Sequence, residues 1–170
     1  DGTPLDTDTV AYGAMPDYTG AVPIKASTAQ YDYTFNGWTP ALATVTGDVT
    51  YTASFKENLR YYTVTWNNHD GSLLDLDTNV AYGVKPVYDG ATPVKTGDAQ
   101  YSYSFIGWKR AGDDTVYTAE SIPAVTSDVK YTAQFEQSTN VYTVKWLNYD
   151  GTVLKTEELA YGATPTAPTD

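Results

Sequence analysis

Several short stretches of this chain alternate apolar and polar residues one by one. In "YTVTW" (62–66), Tyr62, Val64 and Trp66 fall on one side of an extended backbone and Thr63 and Thr65 on the other. A period of two belongs to a half-buried β-strand, and the β-branched and aromatic residues that carry it suit a pleated surface. Tyr101, Tyr103 and Phe105 repeat the pattern, as do Tyr131, Ala133 and Phe135. Asp70-Gly71 stands between two such runs, which predicts a tight hairpin with both central residues at positive φ. In "GVKPVYDGATPVKTGDAQ", Pro86, Gly90, Pro93 and Gly97 leave no window for an ordinary helix. That stretch reads as a winding connection with at most one helical turn near "GDAQ".

The alternating phrases recur in order. "YDYTFNGW" (31–38) returns as "YSYSFIGW" (101–108), "VTGDVTYTASF" (45–55) as "VTSDVKYTAQF" (125–135), and "YTVTWNNHDG" (62–71) as "YTVKWLNYDG" (142–151). The period is about 70 to 80 residues, the spread coming from the insert "RAGDDTVYTAES" after the second Gly-Trp. Residues 1–58 read as a copy lacking its first strand, 60–138 as a complete copy, and 140–170 as the first third of a third. "KENLR" (56–60) and "EQSTN" (136–140) read as linkers too short for independent tumbling, so the array is expected to be extended and semi-rigid. The phase of the repeat reads as a piece of a longer array.

Four markers in fixed order, Y-T-V-x-W, A-Y-G, Y-x-Y-x-F-x-G-W and V-T-x-D-V-x-Y-T-A-x-F, resemble the Listeria-Bacteroides surface repeat, which includes the B-repeat of internalin-type proteins. The resemblance implies a small β-grasp-like module with a mixed sheet, in long repetitive proteins displayed on bacterial cell surfaces as stalks, spacers or adhesive segments. The chain departs from it where a β-grasp usually carries a helix, and again in "YGATPTAPTD", which leaves the pattern after Gly162. The expected fold is therefore mainly β with little or no helix, arranged as tandem repeats.

Aromatic residues at 14% and charged residues at 18% describe a chain that folds. The net charge of −11, with cations scattered singly, disfavours nucleic acid and anionic membranes as partners. The absence of cysteine removes disulfides, thiolate nucleophiles and Cys-based zinc sites. No apolar stretch approaches the roughly 20 residues that cross a bilayer as a helix. "DGTPLDTDTV" is not a secretion signal, so a signal or anchor is expected outside these residues.

Candidate chemistry is sparse. His69 is the single histidine and its counterpart is Tyr149, a poor record for a general base. "DLDTN" (75–79) has alternating oxygen ligands, with Asp6 and Asp8 in the first copy and Glu157 and Glu158 in the third. It lacks the Gly and Glu of a calcium loop, so the acids read as a strand's solvent face; Asp113 and Asp114 of the insert are a weaker option. Lys25 and Lys95 recur, as do Asn68 and Asn148, the residue types of a Lys-Asn isopeptide crosslink that would also need burial and an acid. Gly37-Trp38 and Gly107-Trp108 suit either core packing or ligand stacking, and packing is preferred in so small a module. No catalytic motif, metal site or cofactor is expected, and the chain reads as non-enzymatic.

The expected core is Tyr33, Phe35, Trp38, Phe55, Tyr62, Val64, Trp66, Tyr103, Phe105, Trp108, Phe135, Val144 and Trp146. The leading expectation is a stalk, spacer or fibre-forming module of an extracellular bacterial surface protein, with neighbouring repeats as partners. The alternative is adhesion to a glycan or a host or surface protein through exposed Tyr and Trp, with Tyr18 and Tyr88 as handles. The strand carrying Tyr142, Val144 and Trp146 is a candidate donor to another copy of the chain, head to tail.

Overall fold

The computed structural model describes residues 2–169. These residues form nine strands and, among the described residues, no helix: β1 (Tyr31–Thr39), β2 (Thr52–Leu59), β3 (Tyr61–Asn67), β4 (Leu73–Ala81), β5 (Tyr101–Arg110), β6 (Val116–Tyr117), β7 (Val129–Thr139), β8 (Val141–Leu147) and β9 (Val153–Ala160). The chain is all-β, in three sheets: β1-β2, a five-stranded sheet in the order β4-β3-β7-β5-β6, and β8-β9. The five-stranded sheet is mixed, because β3 and β7 run parallel at its centre while the other pairs are antiparallel.

The period of two becomes burial directly. Tyr62, Val64 and Trp66 are buried on one face of β3, and Tyr131 and Ala133 are buried on β7. In β5 the alternation is interrupted on purpose. Pairing with β7 slips between Phe105 and Gly107, a bulge that leaves Ile106 unpaired and turns Trp108 onto the face already occupied by Phe105, ring centroids 5.3 Å apart. Gly107 sits at φ +140, and a Cβ there would press on the Tyr117 carbonyl of β6. Glycine thus lets the strand kink and lets β6 close over it. The same slip separates Phe35 from Trp38 in β1.

The β3–β4 hairpin forms where expected, but its turn is longer than a two-residue loop. The Gly71 amide donates to the Asn68 carbonyl at 3.0 Å, and of Asp70 and Gly71 only the glycine has positive φ, at 88°. Asp70 instead keeps ordinary φ and uses its carboxylate to accept from the Ser72 amide and hydroxyl, 3.0 and 2.6 Å.

The crossover from β4 to β5 winds without a helical turn. Near "GDAQ" the Asp98 carboxylate accepts from the Gln100 and Tyr101 amides at 2.8 and 2.7 Å, a side-chain cap in place of the expected turn of helix. The crossover's start is pinned by a reciprocal pair, Gly83 amide to Val125 carbonyl (2.8 Å) and Val125 amide to Val84 carbonyl (2.9 Å). Gly13, Ala14 and Val45 repeat it near the β1–β2 sheet. Residues 56–60 and 136–140 differ from the linkers expected there. Both stretches are the ends of strands, β2 reaching Leu59 and β7 reaching Thr139, and one residue separates each from the next strand.

Candidate functional site

The densest packing is an aromatic cluster on one face of the five-stranded sheet. Trp66 stacks on Tyr131 at 4.9 Å with a 21° interplanar angle, and meets Trp108 edge-on at 4.7 Å and Tyr88 at 5.6 Å. Tyr62, Val64, Ile122, Val125 and Ala133 complete the buried set, with Phe105 and Phe135 against its side. Each ring supplies a large apolar area, and edge-to-face pairs add about 0.5–1.5 kcal/mol beyond burial. The low dielectric pushes the Tyr131 phenol up, away from ionisation.

The residues read from the sequence as core fall into two groups. Tyr62, Val64, Trp66 and Trp108 are buried. Tyr103, Phe105 and Phe135, together with Tyr33, Phe35, Trp38 and Phe55 of the β1–β2 sheet and Val144 and Trp146 of β8, are half-buried. In β1, β2 and β8 the reason is topological, since among the described residues neither two-stranded sheet contains a parallel pair like β3–β7. Ile122 and Val125 escaped the sequence reading because they lie in "SIPAVTS", which has no period of two; the insert before them folds into β6 and brings Ile122 down to 2% exposure.

Tyr88 and Tyr18 are not the exposed handles expected of an adhesive surface. Tyr88 folds back over Gly90, where a Cβ would stand 2.5 Å from its hydroxyl, donates to the Ala91 carbonyl at 2.8 Å, and lays its ring 4.7 Å from Trp108. Tyr18 repeats this over Gly20, donating to Ala21 at 2.9 Å with its ring 5.0 Å from Trp38. The recurring signal was "Y-x-G-A", in which the glycine leaves room for the ring. Burial and the carboxylates of Asp75 and Asp89 push the Tyr88 phenol up. Beside it, Pro86, Pro93, Ile106, Trp108 and Ile122 help line a shallow apolar cleft of about 410 Å³ with no carboxylate, imidazole or ammonium in its wall.

One acid of "DLDTN", Asp77, serves an indole, whereas Asp75 accepts from the Leu76 amide through Oδ1 and leaves its buried Oδ2 without a partner. Trp66 Nε1 donates to Asp77 Oδ2 at 3.0 Å, and Trp146 Nε1 donates to Glu157 Oε1 at 3.1 Å, so an acid at this strand position satisfies the one polar atom of a packed tryptophan. Lys155, 2.9 Å away, and the Trp146 indole hold the Glu157 carboxyl below its ordinary range. In the insert, the Tyr117 hydroxyl donates to Asp113, which with the Thr115 amide holds that carboxyl at about 2, and Asp114 pairs with Lys109 at 2.7 Å. His69 lies edge-on to Phe135 at 5.5 Å with Nδ1 3.1 Å from Asn68 Oδ1. Lys25 and Lys95 set their ammonium groups 3.7 and 3.8 Å over the Tyr33 and Tyr103 rings, while Asn68 donates to the Val94 carbonyl. The lysines make cation–π contacts there.

The junctions between sheets are built twice to one plan. The Arg60 amide donates to the Gln30 carbonyl (2.9 Å), and the Arg60 carbonyl accepts from the Tyr82 amide (3.0 Å). Asn140 does the same with Gln100 (2.8 Å) and Tyr161 (2.8 Å). The Tyr62 hydroxyl donates to the Ala29 carbonyl at 2.5 Å, and the Tyr142 hydroxyl to the Ala99 carbonyl at 2.6 Å. Side chains follow suit: Arg60 Nη1 reaches the Thr28 carbonyl at 2.9 Å, and Asn140 Nδ2 the Asp98 carbonyl at 2.8 Å. A single linking residue is thus gripped from both sides, and the tyrosine at the second position of the following strand reaches back to the sheet before it.

No protein-family model matches the chain, and no curated protein matches it. Among solved structures it is similar to the Streptococcal High Identity Repeats in Tandem (SHIRT) domains 3-4 from a cell surface protein, at 14% identity over 81% of this chain and 85% of that one. The TM-score is 0.35, a level at which the likeness carries no argument about fold or function.

Proposed function

We propose that this chain is a non-enzymatic stalk or spacer segment of an extracellular bacterial surface protein, built from helix-free β-grasp-like repeats. The observation that carries the reading is the duplicated junction. One residue, two backbone hydrogen bonds and a tyrosine hydroxyl fix each sheet to the next in the same way at Arg60 and at Asn140. Each such bond contributes about 0.5–1.5 kcal/mol net, so several acting at one residue hold an angle that a flexible linker would not. Neighbour-to-neighbour contacts of this kind make repeat proteins quasi-one-dimensional, and β2 and β3 transmit a pull along nearly unbroken backbone. The placement on a bacterial surface rests on the sequence resemblance. A stalk reading also suits the interior use of tryptophan, since none of the four indoles is exposed.

The test is a distance distribution across one junction. The chain has no cysteine, so spin labels at Asn36→Cys and Thr78→Cys report on the Arg60 joint alone. A narrow distribution that broadens when Gly-Ser-Gly-Ser is inserted after Arg60 is the expected result. A distribution already broad in the parent chain overturns the stalk reading.

A further inference from the structure

β3 opens the complete repeat and β7 ends it. The backbone enters β3 at Tyr61, one residue beyond the end of β2, and leaves β7 at Thr139, one residue short of β8. These first and last strands are neighbours at the middle of the five-stranded sheet and run parallel, with Val64 opposite Val129, Thr65 opposite Lys130, Trp66 opposite Tyr131 and Asn67 opposite Thr132. The last four residues of β3 thus overlap the first four of β7, so Tyr61 extends past one end of the overlap and Thr139 past the other.

That register fixes how the sheet meets a load. A pull on Tyr61 and Thr139 in opposite directions draws β3 and β7 past each other along their own axes, and all the bonds of their overlap resist it together. An antiparallel pair pulled from two ends that lie side by side is instead peeled one residue pair at a time. β5 and β7 form such a pair, since Tyr101 lies opposite Thr139. Side chains oppose sliding of β3 as well. The Asp128 carboxylate accepts from the Thr63 amide at 2.8 Å just before the overlap, and Trp66 lies between Tyr131, stacked at 4.9 Å, and Trp108, edge-on at 4.7 Å. Drawing β3 toward its own N-terminus pulls the indole away from both rings. The bond from Trp66 Nε1 to Asp77 makes β4 travel with β3.

We infer that the parallel β3–β7 pair is a shear clamp that carries tension through the repeat, while the β5–β7 and β3–β4 pairs lie outside the line of load. The inference rests on the stalk reading, because a chain held through its neighbouring repeats is loaded from Tyr61 to Thr139. Arg60 and Asn140, each gripped from both sides, stand where that load enters and leaves. Forced unfolding is governed by the barrier along the pull rather than by total stability, so the clamp shows itself as a dependence on direction.

The chain has no cysteine, so handles for optical tweezers attach at chosen pairs of positions in the full chain. Tyr61→Cys with Thr139→Cys loads β3 and β7 in shear, and Gln100→Cys with Thr139→Cys peels β5 from β7. The β5–β7 ladder has nine residue pairs against four, so a simple count of bonds makes the second direction the stronger. The expected result is the reverse, a rupture force severalfold higher between positions 61 and 139. Asp128→Ala, at an exposed position, is expected to lower that force and leave the peeling force unchanged. Equal forces in the two directions, or a higher force in peeling, overturn the inference, and so does an Asp128→Ala chain weakened alike in both. Any of these leaves the stalk reading to its distance distribution, whereas a broad distribution at Arg60 removes the stalk reading without altering either force.

Discussion

Trp38 and Trp108 close the same eight-residue phrase, yet Trp108 is 3% exposed and Trp38 is half-buried. The two sheets share the bulge, the glycine at positive φ, the Y-x-G-A fold-back and the pinned crossover. They differ in three elements. The five-stranded sheet has the β3–β4 hairpin, with β3 running parallel to β7, and has β6 from the insert, and among the described residues the β1–β2 sheet has a counterpart of none of the three. Leu42 stands where Ile122 stands and is 43% exposed against 2%. Identical local instructions therefore reach different burial, because a strand's alternation chooses a face but only a neighbour covers it.

The largest break in the comparison is at the tryptophans. Trp108→Ala is expected to cost about 3–5 kcal/mol, a large share of a small domain's stability, while Trp38→Ala is expected to cost roughly half that or less. Separate unfolding transitions for the two sheets, followed by fluorescence, check the difference; equal losses would mean that β3 adds little to the burial of Trp108. Next come the aliphatic pair. Ile122→Ala is expected to cost about 2–4 kcal/mol by leaving a cavity, and Leu42→Ala about 1 kcal/mol or less. Denaturant midpoints at unchanged slope measure both.

The smallest effect is acid dependence in the insert. Asp113 is held at about 2 in the fold against an ordinary 3.8, so it binds its proton less readily folded than unfolded. Its contribution is complete above the ordinary value and is lost as pH falls through the folded one. The melting temperature of Asp113→Asn is therefore expected to fall less between pH 3.8 and about 2 than that of the parent chain. Because the group is only half-buried, the effect on stability is small, and a parent curve no steeper than the variant's would show the Tyr117 contact to be idle.

Much of this fold is written in the period of two. The alternation of Tyr62, Val64 and Trp66 specifies the strand, its face and its buried rings, and Asp70-Gly71 specifies the hairpin, although the exact turn depends on Asn68 closing it. The parallel pairing of β3 with β7 is not legible, since Val64 and Val129 are far apart in sequence and nothing local joins them. Ile122 is illegible for a related reason: its burial depends on β6, which exists only because Gly107 lets β5 kink beneath it. The candidate chemistry was harder still. Alternate acids suggest either solvent or a cation, and only the indole geometry shows Asp77 accepting from Trp66. Tyr88 looks like an exposed ring until Gly90 is seen to make room for it.

The account turns on the claim that the tryptophan closing each phrase is buried only when a parallel strand completes the sheet. Amide hydrogen exchange tests this directly, because protection reports the opening free energy of each strand separately. The expected result is slow exchange for Val64, Trp66, Tyr131 and Ala133, and markedly faster exchange for Phe35, Trp38, Ala53 and Phe55. Equal protection in the two sheets would contradict it.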